Sequence, residues 1–425
     1  MDGEVEQSND GSSEQKPKIS ENGEISHTPQ NEVIADLQED NPMHALERLA
    51  SGNPEIVART FAEAKARPKG FSDEFITGLL TGTLKSPDGS NAMFVKVYLD
   101  QVMPDQNEFE LSHSPDRLAD MHDGMVDMIS DNLKIGIVDG DEKTRSYFVS
   151  KKQQYLERLR ADSKKTRDML IKYKTGDIRA FNPAYAEYHG LTINTAEGEI
   201  DVSGMGSKKV RGVRPNIRIQ RELTNQFIHW ETDQMMRDVQ GGRYPELVKR
   251  IYLNPKISNS VQIFTELMQT LNSKGLSAKG KVLDRSYELM GQMGSEKPQP
   301  IRADEIVLYM QEGDADGVLE TVLSKYSEKP ELFADRPTPK VPTKIAPGIA
   351  VGDEPAVEGA SLTSHRADVI EAAASKTKSK LGMSFGDAID PSKSGLALSE
   401  FRKTFKEIAV ENNINPNNMA FNYAN

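Results

Sequence analysis

The stretch ADEIVLYM, Ala303 to Met310, constrains the fold of this chain more than any other. From Ile306 to Met310 every residue is apolar or aromatic. A run so short and so continuous reads as a strand covered on both faces, and such a strand belongs in the middle of a sheet. Its partners are legible around it. VKRIYLNP reads as a strand, and SVQIFTELMQTLNSKG as a helix with Phe264, Leu267, Met268 and Leu271 on one face and Gly275 as its stop. SAKGKVLD reads as a second strand, DGVLETVLSKY as a helix, KIAPGIAVGDEP as a fourth strand and SHRADVIEAAASKTKSKLG as a closing helix. The sum is an α+β arrangement, a small mixed sheet with flanking helices.

The remainder of the 425 residues is organised around that core. Only 36% of the chain is hydrophobic, too little for a packed core along its whole length. Residues 1–32 are polar, with seven acids and two lysines in the first thirty, and read as a disordered, secretion-type segment. Residues 33–140 read as an all-helical module, with Ser72 and Ser114-Pro115 as helix starts. The α+β domain is assigned to 141–385 and a polar tail to 386–425, with a short helix at SEFRKTFKEIA and a frayed end at NNINPNNMAFNYAN. Within the domain, residues 143–174 carry eleven Lys/Arg against three acids and form one long basic helix. LTINTAEGEIDVSG alternates as short strands, and a helix containing Phe227, Trp230 and Met235 follows the basic run 206–221.

Several function classes fall away. The chain has no cysteine, which removes disulfides, thiolate nucleophiles and cysteine-held metals. No run is long and apolar enough for a membrane helix, and the first residues lack the pattern of a general secretory signal. No phosphate-binding GxxxxGK[ST] loop, HExxH, GxSxG or kinase set occurs. The basic segments lack a DNA or RNA recognition signature, so nucleic acid is not the expected partner and a solvated helix face is the simpler reading.

What is left is a set of cations near the ends of the 248–352 elements. Arg250, Tyr252 and Asn254 share one face of their strand, and Lys279 and Lys281 share one face of the next. Arg302 opens the third strand, with Asp304 and Tyr309 after it; Arg336, Lys340, Lys344 and His365-Arg366 follow. Matched on adjacent strands, these residues would build a phosphate or carboxylate pocket, with arginine suited to bidentate recognition. The alternative is a set of separate surface cations, each with its own acid neighbour. Spacing favours that alternative as long as strand order is unknown.

At these residues the sequence resembles the HopA family of type III effectors and the related lyase domains of class V lanthipeptide synthetases. The resemblance rests on six blocks in order: RIYLN (250–254), TLNSKGL (270–276), KVL (281–283), IRADEIVLY (301–309), TKIAPGIAVGDEP (343–355) and SLTSHR (361–366). It spans about 180–380. No kinase domain accompanies it, so the chain looks like a stand-alone effector. The resemblance implies synthesis in a bacterial cytoplasm, secretion and injection into a host cell, a secretion chaperone bound at the N-terminal region, and a phosphorylated protein or peptide as partner. In the synthetases the domain removes phosphate from phosphoserine or phosphothreonine by β-elimination; in the effectors the same pocket is basic, and binding without catalysis stays open.

That chemistry needs a base, cations for the phosphate and a proton for the leaving oxygen, and it needs no metal or cofactor. A lysine among arginines has its ammonium disfavoured and can act as a base near neutrality. Lys281, between Arg250 and Arg302, is the candidate base. Arg250, Asn254 and Arg302 would hold phosphate, joined by Lys344 and Arg366. His365 is the candidate acid, with a plain helix-start histidine as the equal alternative and His189 as a second choice.

Overall fold

The structure, a computed structural model, describes residues 54–423 apart from 93, 138–141, 178–212, 222–225, 241–245, 291, 294–295, 335, 358–359 and 385–393. The 1–32 segment, the strands expected in LTINTAEGEIDVSG and His189 lie outside the described residues. In chain order the helices are α1 (Pro54–Ala66), α2 (Asp73–Thr81), α3 (Val95–Asp100), α4 (Gln106–Ser112), α5 (Pro115–Asn132), α6 (Glu142–Lys174), α7 (Asp233–Gln240), α8 (Ser260–Ser273), α9 (Arg285–Met290), α10 (Ala315–Glu328), α11 (Leu362–Lys380) and α12 (Ser394–Glu411). The strands are β1 (Gln101–Val102), β2 (Ile135–Ile137), β3 (Val213–Pro215), β4 (Ile217–Arg221), β5 (Gln226–Glu231), β6 (Lys249–Leu253), β7 (Ala278–Leu283), β8 (Ile301–Arg302), β9 (Ile306–Met310), β10 (Thr343–Ala346) and β11 (Ile349–Asp353).

Seven strands form the main sheet in the order β10-β11-β6-β9-β7-β5-β4, so the apolar run Ile306–Met310 is its central strand. The α+β class holds, but every ladder of this sheet is antiparallel rather than mixed. The reason lies in β9. Strands β6 and β7 run parallel to each other, joined through α8, but β9 inserts between them and pairs antiparallel with both.

Period-two alternation divides the sheet's faces. Ile251, Leu253, Ala278, Val282, Ile306, Leu308 and Met310 share a core with Phe264, Leu267, Met268 and Leu271 of α8 and with Val318, Leu319, Val322 and Leu323 of α10. Gly280 lets α8 approach: a Cβ there would lie 2.6 Å from the Phe264 ring and 2.8 Å from the Met268 sulfur. Tyr252, Val307 and Ala350 pack in a second core with side chains of α2, α3, α11 and α12. The order is helix, sheet, helix, and residues from the N-terminal helices join the same compact unit, Leu46–Asn425.

Local signals account for the ends of several elements. The Ser72 side chain accepts the Phe75 N–H at the start of α2, and α5 begins at Pro115 directly after Ser114. Gly275, with φ +69°, follows the last turn of α8. Three expectations are corrected. Phe227 and Trp230 lie in strand β5, not in a helix; only Met235 is helical. QFIHWE is rich in aromatic and β-branched residues, and Phe227 and Trp230 fall on opposite faces of the strand. KIAPGIAVGDEP is not one strand but the hairpin β10–β11, turned at Pro347-Gly348, where Gly348 takes φ +65°.

The third correction concerns the C-terminus, which is not frayed. The Asp353 N–H donates to the Ala420 carbonyl at 2.8 Å and the Asn422 N–H to the Asp353 carboxylate at 2.9 Å. The Asn418 amide donates to the carbonyls of Ala64 and Arg67, and Phe421 is buried in the core shared with α8 and α10. Asparagines supply polar groups that lock the loop, which composition alone reads as solvated polarity. Among the described residues no helix is long and apolar enough to cross a membrane.

Phe421→Ala is expected to lower stability by about 3–5 kcal/mol in urea unfolding, the usual loss for a buried phenylalanine. Truncating the exposed Tyr423 to alanine should move it by no more than about 0.5 kcal/mol.

Candidate functional site

Register alone brings three of the expected cations, Arg250, Lys279 and Lys281, onto one face. Arg250 of β6 lies opposite Tyr309 of β9, and Tyr309 lies opposite Lys279 of β7. Lys281 lies opposite Val307 on one side and His229 on the other. Opposed residues in an antiparallel ladder share a face, so Arg250, Tyr309, Lys279 and Lys281 point to the same side.

Two aromatic rings gather them. The Arg250 guanidinium carbon is 4.9 Å from the Tyr309 ring centre, with the Lys279 and Lys281 ammonium groups at 5.9 and 6.0 Å. The Lys281 Nζ is also 4.1 Å from the centre of the Phe227 ring, where the Arg302 guanidinium stands at 5.2 Å. Lys281 thus bridges the two rings, between Arg250 and Arg302. A cation over an aromatic face is stabilised by the ring quadrupole without being neutralised. Lys279, Lys281, Arg302 and Tyr309 are half-buried, so the cluster is reachable from solvent.

Carboxylates temper the cluster. Arg302 forks onto Asp304 with two bonds of 2.7 Å. Burial works against the Asp304 charge, but Arg302, its hydrogen bonds and Lys281 pull the carboxyl down to about 2. Arg250 is buried and pairs with Glu354; it also donates to the Tyr252 hydroxyl and to the Ala360 carbonyl, both at 3.3 Å. Burial lifts the Tyr252 and Tyr309 hydroxyls well above their ordinary range, so both rings stay neutral.

The other expected site residues lie elsewhere. Asn254 is buried at the far end of β6, roughly 13 Å along the strand from Arg250. Its amide donates to the Pro337 carbonyl at 2.8 Å and accepts from Arg336 at 3.1 Å, so it fastens the 336–337 loop. Lys344 is exposed on edge strand β10, two strands outside β6. The Arg366 guanidinium, buried, donates to the Met419 carbonyl at 2.8 Å and to Asn422 at 3.0 Å; it holds the C-terminal loop behind Arg250, and burial pushes its pKa down to about 10. It also donates to His365 Nδ1 at 2.6 Å. That bond assigns the ring proton to Nε2, and burial together with Arg366 lowers the His365 pKa, favouring the neutral imidazole. A neutral, buried His365 is poorly suited to the acid role expected of it.

Phe227 is a site residue that a helical reading of QFIHWE hides, because only a strand puts its ring on the face of Lys281. The Arg302–Asp304 fork was detectable as an i, i+2 pair on an extended segment. Among the described residues no group of three or more His, Asp or Glu is placed to hold a metal ion.

Residues 231–421 match the HopA1 effector protein family. The match starts later than the expected span of about 180–380 and runs on through α12 and the C-terminal loop, the part that the fold packs against β11. It contains Arg250, Lys281, Arg302, Asp304, Tyr309 and Glu354, and it leaves out Phe227 and everything before it. Over this segment the chain is similar to the HopA1 effector proteins. No curated protein matches the chain. Two solved effector structures from Pseudomonas syringae overlap with it. That of pathovar syringae strain 61 has 21% identity over 48% of this chain and 66% of that one, with a TM-score of 0.30. That of pathovar tomato strain DC3000 has 14% identity over 89% of this chain and 100% of that one, with a TM-score of 0.34. Both overlaps are too loose to bear on this chain's fold or chemistry.

The Arg250–Glu354 pair gives an asymmetric expectation. Glu354→Gln leaves a buried guanidinium without its counter-charge and should cost about 1–3 kcal/mol. Arg250→Met leaves a carboxylate that is partly exposed and can turn to water, so it should cost less. Urea unfolding of both variants at pH 7 checks the order.

Proposed function

We propose that the protein is a type III effector whose cationic sheet face binds the phosphate of a phosphorylated serine or threonine and removes it by β-elimination. What supports this reading is the meeting of Arg250, Lys279, Lys281 and Arg302 on the adjacent rings of Tyr309 and Phe227. Phosphate would be held by the guanidinium groups and by Lys279, sharing Arg250 with Glu354 and Arg302 with Asp304. Lys281, in its neutral form, would take the Cα proton. The electron pair of that C–H bond becomes the Cα=Cβ double bond, the Cβ–O bond breaks, and phosphate leaves with its oxygen, which takes up a proton from water. The products are a dehydroamino acid and inorganic phosphate. This is the reaction of the lanthipeptide-synthetase lyase domains that the sequence blocks resemble, and it calls for no metal or cofactor. Delivery into a host cell, with a secretion chaperone on the N-terminal region, belongs to the same reading.

One observation favours a second reading, in which the pocket binds a phosphorylated host protein without turnover. Asp304 stands close enough to Lys281 to feel its charge. A neighbouring carboxylate keeps an ammonium protonated and works against a neutral base.

A phosphothreonine peptide separates the two. The lyase reading expects mass spectrometry to show loss of one phosphoric acid unit, abolished in Lys281→Ala. The binding reading expects an unchanged mass, with calorimetric affinity weakened roughly tenfold or more by Lys281→Ala or Arg302→Ala, the scale of one lost charge-assisted contact. Neither mass loss nor binding would remove the phosphate site altogether.

A further inference from the structure

A buried ionisable group of the cluster comes from outside the family-matched segment. Asp100 ends α3 and is 6% exposed. Its carbonyl accepts the Ala303 N–H at 3.0 Å, and the next residue, Gln101, pairs with Arg302 in the β1–β8 ladder. Backbone pairing thus sets Asp100 against the Arg302-Ala303-Asp304 segment. Its carboxyl lies near enough to the Thr363 hydroxyl of α11, to Asp304, to Arg302 and to Lys96 to be influenced by each. Around the rest of α3, Glu371 of α11 accepts the Val95 N–H at 3.1 Å, and Lys340 donates to the Tyr98 carbonyl. Two buried carboxyl groups, Asp100 and Asp304, therefore flank one arginine at the edge of the cationic cluster.

Resting on the phosphate-binding reading, we infer that the site takes up one proton as it binds an anion, and that Asp100 carries it. The physical reason is charge crowding. An anion brought to Arg302 adds negative charge beside two carboxylates, and the lowest-cost relief is to protonate the one that Arg302 does not fork onto. A protonated carboxyl can then donate an O–H to an anion oxygen where a carboxylate would repel it. The cluster on its own already leans this way. Burial, then Asp304, push the Asp100 carboxyl up to about 6, only partly offset by Arg302 and the Thr363 hydroxyl, while Asp304 stays ionised. Asp100 is thus the group that changes charge near neutrality, and a bound anion raises its pKa further. The shared proton also favours ligands that bring one, such as a phosphate group, over anions that cannot.

The linkage has a fixed sign. Above the pKa of the empty site, each further pH unit costs up to tenfold in affinity for an anion of constant charge. Sulfate is such a probe, since it does not titrate in the working range. Calorimetry of the whole protein with sulfate between pH 5.5 and 8, in two buffers of different ionisation enthalpy, reads both affinity and proton uptake. The expected result is affinity falling by up to tenfold per unit above about pH 6.5, with uptake approaching one proton at pH 8. Asp100→Asn should flatten the profile and bind more tightly at pH 8. Thr363→Val, which removes the hydroxyl that favours the carboxylate, should move the onset of the fall to higher pH. A flat wild-type profile, or a slope unchanged in Asp100→Asn, overturns the inference and leaves phosphate binding standing. Absence of binding by sulfate and inorganic phosphate at every pH, in wild type and both variants, overturns the inference together with the phosphate site. Thermal melts of both variants confirm folding, and Asp100→Asn should melt higher than wild type at pH 8, a difference that closes as pH falls below 6.

Discussion

The double pairing of β9 is the constraint on which the rest of this structure depends. Hydrogen-bonded to β6 on one side and to β7 on the other, it fixes Tyr309 between Arg250 and Lys279 by register. A slip of one residue on either side would turn Tyr309 toward the α8–α10 core and send the basic side chains to opposite faces. The apolar alternation of Ile306, Leu308 and Met310 forbids that slip, because those residues are buried against α8 and α10. Core and site are therefore specified by the same five residues, one face each.

Much of this was legible in the sequence. The central place of Ile306–Met310 followed from its continuous apolar content, and the shared faces of Arg250–Tyr252 and of Lys279–Lys281 followed from alternation alone. Strand order was not legible, because nothing local records that β9 threads between β6 and β7. Without that order the cations could equally have been scattered. The hairpin at Pro347-Gly348 was visible as a turn dipeptide inside what read as one strand. The C-terminal loop was hidden by its composition: Asn418 and Asn422 look like solvated tail residues until their amides are seen closing backbone groups of α1 and of the β11 end.

The expected site divides for physical reasons. Arg250 and Lys281 share a face because β9 fixes the register of β6 and β7 on either side of it, and Arg302, in the β1–β8 ladder outside the main sheet, joins Lys281 over the Phe227 ring. Asn254 and Arg366 serve fold closure instead: a buried amide and a buried guanidinium with several donors are well suited to satisfying carbonyls of irregular chain, here in the 336–337 and 419–422 loops. Asp100 enters the cluster from α3 through a two-residue ladder. No spacing rule points from Asp100 to Arg302, about two hundred positions later in the chain, and the family-matched segment does not include it. The proposed anion site draws on both the matched segment and the helices that precede it.

These cations are proposed to form one anion site. A crystal structure of the protein with a bound phosphothreonine peptide tests it most directly. The phosphate is expected within hydrogen-bond distance of Lys281 and of Arg302 or Arg250, above the Phe227 and Tyr309 rings. A phosphate seated elsewhere, for instance along the basic helix α6, with the Arg250–Glu354 and Arg302–Asp304 pairs undisturbed, would contradict it.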